Sequence, residues 1–252
     1  MKSLPLAVQL YTLREQCAGD FEGTLRAVAR MGYRAVELAG LHGMPLRDLR
    51  KLLDELGLMA FASHHGMDRL RNQCDEVIQE CHFLGNRFVV CSALPENCRK
   101  DAEGYRRGAQ WLDAIGARLR EHQLQLCYHN HAFEFERFEN QTGLDRLYQS
   151  CQDGNVKAEL DVYWVSKGGG DPVRWIEQLD QRCALLHLKD MGPDGGFAEV
   201  GAGCLDFGSI LKAARKAGAH GYIVEQDVCS RPPLESIAIS LENLRRLAPD
   251  LP

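Results

Sequence analysis

The residues best suited to chemistry sit at the ends of apolar runs. LQLCYHNHAFEFE (124–136) opens with β-type residues and ends in two imidazoles, His129 and His131, followed by the carboxylates Glu134 and Glu136. A strand buried on both faces should stay apolar to its end, so this cluster of ionisable groups marks a strand emerging at a site. Three further stretches repeat the design: VKAELD ends in Asp161, CALLHLKD carries His187, and GYIVEQD carries Glu225. Glu134, Asp161, His187 and Glu225 would offer three carboxylates and one imidazole to a divalent cation. Such an oxygen-rich, anionic shell suits Mn²⁺ first, with Mg²⁺, Co²⁺, Fe²⁺ or Zn²⁺ as alternatives. A formal charge of about −1 on the loaded site leaves room for the neutral hydroxyl and carbonyl oxygens of a sugar or polyol.

A cation so held would acidify a C–H beside a carbonyl and stabilise the enediolate that results. His129, His131 or Glu225 would move the proton, because an imidazole with its ordinary pKa of ~6.5 works near neutrality without large tuning. Lys189 would hold an oxyanion. Gln9, Glu37, His64, His65 and Trp164 fall on the same side as candidate substrate contacts, with Trp164 covering the C–H face of a sugar. His64 and His65 are neighbours in a strand and point to opposite faces, so only one of them enters the site. Return of the proton to the neighbouring carbon gives isomerisation, return on the other face gives epimerisation, and loss of a β-oxygen gives dehydration or lyase cleavage. Gly201 and Gly203 offer loop amides to a phosphate, or serve only a loop that needs unusual backbone angles.

Each residue has a plainer role when taken singly. His187 would be a hydrogen-bonded core histidine, Asp161 a helix cap, Glu225 and Glu37 solvated charges, Trp164 a core aromatic, and Lys189 with Asp190 a surface ion pair. Coincidence at matching strand ends is what favours the cation.

The elements that must position these groups follow from periodicity. Strand-like runs occur at Leu4–Tyr11, Arg34–Ala39, Leu58–Ser63, Arg87–Ser92, from Leu124, at Val156–Asp161, Cys183–Leu188 and Gly221–Glu225. Between them lie helical patterns: one capped by Asp20 and stopped at Gly32, one from Pro45 to Gly57, one from Met67 to Leu84, and one from Asp101 to His122. Others end near Gly154, start at Asp171-Pro172, run from Phe207 to Ala217, and close the chain at Leu234–Leu247. Eight alternating βα units with no linker or composition break predict a single α/β domain over 1–252, a closed (β/α)8 TIM barrel. In such a barrel the C-terminal strand ends form the site face, where every ionisable cluster falls.

Composition agrees. With 252 residues, 45% hydrophobic and 26% charged, the chain can bury a large core. The formal charge of −5 and the absence of a Lys/Arg run argue against a nucleic-acid partner. No run is apolar enough to span a membrane, and the N-terminal residues do not form a signal-type block, which predicts a cytoplasmic protein. The ten cysteines contain no C-x-x-C pair and read as reduced, buried small hydrophobes. The outer helices leave a homo-oligomer open.

Taken together, YHNHAFEF (128–135), LDVYWVSKGGGDP (160–172), LHLKD (186–190), EVGAG (199–203) and VEQD (224–227) resemble the xylose-isomerase-like barrels grouped as sugar phosphate isomerases/epimerases, relatives of inosose dehydratase. The resemblance covers essentially the whole chain. It implies a cation held by Glu, Asp, His and Glu from late strands, which maps onto Asp161, His187 and Glu225. Many members carry Glu where this chain has His129, so either His129 is itself a ligand or Glu134 reaches in from the loop; Glu134 is the preferred reading. The implied activity is a metal-dependent sugar or sugar phosphate isomerase or epimerase. The alternatives are a dehydratase or lyase on a keto-inositol or keto-sugar, a phosphodiester endonuclease needing more ligands and a basic surface, and a binding protein that has lost its chemistry.

Overall fold

The computed structural model describes residues 5–152 and 154–249. Leu4, expected to open the first strand, lies outside them. The chain runs β1 (Leu6–Gln9), α1 (Arg14–Gly19), α2 (Phe21–Met31), β2 (Ala35–Leu38), α3 (Leu46–Leu56), β3 (Met59–His65), α4 (Met67–Asn72), α5 (Cys74–Leu84), β4 (Phe88–Cys91) and α6 (Ala102–Glu121). It continues with β5 (Gln125–His129), β6 (Arg137–Phe138), β7 (Gln141–Thr142), α7 (Gly143–Gln149), β8 (Val156–Asp161), α8 (Val162–Lys167), α9 (Pro172–Leu179), β9 (Cys183–Leu188), β10 (Asp190–Met191), β11 (Phe197–Ala198), α10 (Phe207–Ala217), β12 (Gly221–Val224) and α11 (Pro233–Leu247). Eight strands close into one barrel in the order β1-β12-β9-β8-β5-β4-β3-β2, with every pairing parallel.

Local chemistry sets the helix ends where the sequence places them. Asp20 accepts from the Gly23 amide at 2.8 Å, Asp101 from Gly104 at 2.7 Å and Asp171 from Val173 at 2.9 Å, each satisfying an orphan amide of the first turn. Gly57 and Gly85 stop α3 and α5 in the left-handed region, φ 62° and 73°, where a side chain would be strained.

The expected helix 67–84 is broken at Gln73 into α4 and α5. Leu70 and Cys74 are both buried on one stripe, so the apolar periodicity runs straight through the break and hides it. The short helices α1 and α8, and the hairpins β6–β7 and β10–β11, are further additions to the βα pattern.

Among the described residues, two apolar clusters fill the interior. The larger lies between the strands and the helices that flank them. The smaller includes Ala7, Ala35, Ala62, Cys127, Leu185 and Ile223, all from barrel strands. Residues two places further along a strand face the same way, and here these are Gln9, Glu37, His64, His129, His187 and Glu225. A small-residue apolar layer therefore plugs the barrel, and a polar, ionisable layer sits directly on it at the C-terminal mouth. Strand register brings the polar layer together: Gln9 pairs with Glu37, His129 with Glu159 and Asp161 with His187. Among the described residues the barrel ladder shifts register at two places, between Val36 and Glu37 and between Ala158 and Glu159. Such irregularities re-aim side chains, here two carboxylates.

Candidate metal centre

His129 closes β5, Asp161 closes β8, His187 lies near the end of β9, and Glu225 follows β12. All four are buried, and each offers one donor atom such that the atoms lie within 4.8 Å of one another. His187 Nδ1 is 2.8 Å from Glu225 Oε2 and 3.9 Å from Asp161 Oδ2. His129 Nε2 is 3.4 Å from Asp161 Oδ2 and 3.9 Å from Glu225 Oε2. Among the described residues neither ring nitrogen of His129 has a hydrogen-bond partner, although both are buried. A buried polar atom left this way costs roughly 1–3 kcal/mol, and a cation accepting the lone pair of Nε2, the nitrogen that faces Asp161 and Glu225, would remove that penalty. The donors therefore fit a divalent ion.

Asp161 is held on three sides. Its Oδ1 accepts from the Trp164 amide at 2.9 Å and caps α8, so the cap reading and the ligand reading are both realised, by different oxygens. Asn130 brackets its backbone, accepting from the Asp161 amide at 3.0 Å and donating to its carbonyl at 3.3 Å. The asparagine of YHNH thus ties the end of β5 to the end of β8.

The preferred first ligand, Glu134, is not in this cluster. Its carboxylate accepts from Tyr128 Oη and from the His131 amide within the tight turn Ala132–Phe135, and it is fully buried there. Burial pushes its carboxyl up to about 8. His129 stands in the cluster instead, so the candidate donor set is two imidazoles and two carboxylates. With more nitrogen in the shell, Zn²⁺, Fe²⁺ and Co²⁺ gain on Mg²⁺, and the loaded site is formally neutral.

The other expected residues divide into those beside the cavity and those beneath it. A polar cavity of about 370 Å³ opens over the donors and is lined by His64, His129, His131, Glu225 and Asp227 together with Tyr11 and the β3 and β4 loops. Gln9 and Glu37, expected as substrate contacts, do not line it. Both are fully buried, with Gln9 Nε2 donating to Glu37 Oε2 at 2.8 Å. His64 faces inward, its Nε2 2.7 Å from Glu159 Oε2. His65 turns its ring nitrogens to Ser63 and Arg69, yet it also lines the cavity, so both neighbours border the site where one was expected. Trp164, expected over the sugar's C–H face, is not among the residues lining the cavity; it stands beside His131, ring centroids 5.7 Å apart, and its buried Nε1 has no hydrogen-bond partner among the described residues.

Lys189 and Asp190 are not a surface pair, since both are fully buried. Lys189 Nζ lies 3.0 Å from Asp161 Oδ2 and 2.9 Å from Glu225 Oε2 and also meets Asp227. Burial opposes its charge, but the three carboxylates prevail and hold the ammonium protonated. It orders ligand carboxylates and does not face the cavity, which removes it as an oxyanion contact. Asp190 accepts from the amides of Met191, Gly201, Gly203 and Leu205. Those loop amides are consumed internally, which closes the phosphate reading of Gly201 and Gly203.

Two members of the site escaped the sequence reading, Glu159 and Asp227. Each stands two residues from a residue that was recognised, Asp161 and Glu225, and period-two alternation was the available signal. Glu159 is fully buried. Burial disfavours its charge, yet His187 and His64 hold the carboxylate well below its usual range.

Among known proteins, the chain is 27% identical to the rhizopine catabolism protein MocC of Rhizobium meliloti, across 92% of this chain and 84% of that one. It is 23% identical to an inosose dehydratase of Geobacillus kaustophilus, across 88% and 86%. Its fold superposes on the crystal structure of a sugar phosphate isomerase/epimerase from Parabacteroides distasonis with a TM-score of 0.87, at 23% identity, covering 100% of this chain and 96% of that one. A family model described as a xylose isomerase-like TIM barrel matches residues 25–247. With that match spanning most of a closed eight-stranded barrel whose mouth gathers these side chains, the chain belongs to the xylose isomerase-like TIM-barrel family.

Proposed function

We propose that this protein is a divalent-cation-dependent lyase that removes water from a keto-polyol or keto-sugar after taking the proton beside its carbonyl. The observation that carries this is the convergence of His129, Asp161, His187 and Glu225 beneath a polar cavity of sugar size. A divalent ion bound there would polarise the carbonyl and so acidify the adjacent C–H.

The chain's own groups supply the rest. His131 and Asp227 line the cavity outside the four-donor cluster, His131 just after β5 and Asp227 just after β12. These strands are separated by β9 and β8 in the barrel, so the two groups approach a bound substrate from different walls. His131, which burial lowers to about 3 and so keeps neutral, accepts the carbon-bound proton; Asp227, whose carboxyl burial and the Glu225 charge push above its usual range, delivers its own proton to the departing hydroxyl and is recharged by the proton His131 has taken. Lys189 fixes Asp227 and the ligand carboxylates, and Trp164 offers its unpaired indole N–H beside His131.

Dehydration is favoured because the relatives that align over most of the chain include proteins named inosose dehydratase. A second reading, isomerase or epimerase, uses the same proton acceptor and returns the proton to carbon. It is supported by the name of the Parabacteroides structure and by proton-carrying groups on two walls. Incubating the Mn²⁺-loaded protein in D₂O with keto-inositols and keto-sugars separates the two. A product lighter by one water is the expected result, whereas deuterium uptake with no loss of water would replace dehydration by isomerisation. No exchange and no product from any of them would sink both. Action on a small polyol and a cytoplasmic location belong to this proposal. Among the described residues no helix is long and apolar enough to cross a membrane.

A further inference from the structure

Directly below the four-donor cluster lies a second one, which the proposed reaction does not use. Glu37 from β2, His64 from β3, Glu159 from β8 and His187 from β9 also bring one donor atom each to within 4.8 Å of one another. His187 Nε2 is 2.6 Å from Glu37 Oε2 and 3.2 Å from Glu159 Oε2, while His64 Nε2 is 3.4 Å from Glu37 Oε2 and 2.7 Å from Glu159 Oε2. His187 belongs to both clusters, turning Nδ1 to the upper and Nε2 to the lower. Glu37 and Glu159 are fully buried, and the second oxygen of each, Oε1, has no hydrogen-bond partner. Gln9 fixes Glu37 from below. The two register shifts of the barrel fall at these same two carboxylates, so the backbone departs from regular pairing where it delivers them.

Charge points the same way. Glu37, Glu159, Asp161 and Glu225 are buried carboxylates, and the ammonium of Lys189 is matched by Asp227. The two lower carboxylates have only the imidazoles of His64 and His187 to balance their charge, and a divalent cation would take the place of the protons those rings otherwise carry. We propose that a second divalent cation binds the lower cluster, held by Glu37, His64, Glu159 and Nε2 of His187, so that the imidazole of His187 bridges two ions. The set of two carboxylates and two imidazoles suits the same ions as the upper set, Mn²⁺, Fe²⁺, Co²⁺ or Zn²⁺. Bridging requires His187 to give up its ring proton to solvent, so loading the second ion releases a proton.

This inference concerns occupancy and is independent of which reaction the barrel performs. The test is metal content by mass spectrometry after Mn²⁺ saturation and desalting of the full chain, with its paramagnetic resonance spectrum. Two ions per chain and an exchange-coupled spectrum are expected, falling to one uncoupled ion in the double variant Glu37→Gln, Glu159→Gln. A single ion in the wild type, unchanged in that variant but lost in Asp161→Asn, would overturn the lower site and leave the proposed function standing. No ion in the wild type would overturn both. The wild-type stoichiometry decides the matter even where a variant fails to fold.

Discussion

At the scale of single residues, the outcome turns on His129 and Glu134. The two lie five residues apart at the end of one strand, and a carboxylate is the usual choice for an oxygen-preferring ion, so Glu134 is the natural expectation. The structure spends Glu134 on Tyr128 and the His131 amide and leaves His129 with two buried, unpartnered nitrogens among the ligands. His129→Ala and Asp161→Asn are therefore expected to weaken Mn²⁺ or Zn²⁺ binding by at least about 100-fold, as read by titration calorimetry. Glu134→Gln is expected to leave metal content unchanged. It also carries a pH signature: the carboxyl rises from 4.5 to about 8 on folding, because burial disfavours its charge. A raised folded pKa means that the folded state binds more protons between those values. Its contribution is complete below pH 4.5 and is lost as the pH rises through 8. Urea unfolding of Glu134→Gln across this window should show a flatter pH profile than the wild type, and parallel profiles would refute the assignment.

At the scale of elements, the loop after β9 depends on Asp190. One buried carboxylate gathers four loop amides, and the aromatic wall Tyr163–Phe197, stacked at 4.4 Å, rests on the hairpin that the loop contains. Asp190→Ala strands these donors and should cost about 2–4 kcal/mol, with faster hydrogen exchange confined to 199–205. Gly203 tests the same packing from the other side. A Cβ there would lie 2.3 Å from the Met191 carbonyl and 2.4 Å from Asp190 Oδ1, closer than atoms tolerate. Gly203→Ala is expected to lower stability by about 1–3 kcal/mol in thermal unfolding. No change in either variant would mean that the loop is held by something else.

At the scale of the whole molecule, the barrel concentrates repulsion at its mouth, and the cation relieves it. Binding to the folded state alone stabilises by about 2.7 kcal/mol at one hundred times the dissociation constant. For a barrel of this size that corresponds to a rise of about 5–10 °C in Tm. Scanning calorimetry with Mn²⁺ and with chelator should show this difference, and identical melting curves would mean that no cation is held at the mouth. The effect should shrink in Asp161→Asn, which separates site binding from a general influence of the ion on solubility.

The sequence by itself determined the barrel and most of its mouth. Period-two apolar runs, Asp caps and helix-ending glycines are local signals, and local physics reads them directly. Asp161, His187 and Glu225 were legible because an ionisable group closing an apolar strand costs desolvation energy unless a partner or an ion takes up its charge. Which of two nearby side chains joins the buried cluster, that Glu159 and Asp227 lie beside it, and that Gln9 and Glu37 lie beneath it rather than facing the cavity were decided only in three dimensions. The break at Gln73 was likewise invisible, since the buried stripe continues across it. These outcomes depend on register between strands far apart in the chain, on two local shifts of that register, and on competition for hydrogen bonds within a crowded mouth. No residue's own type or spacing encodes the position of a partner more than a hundred residues away.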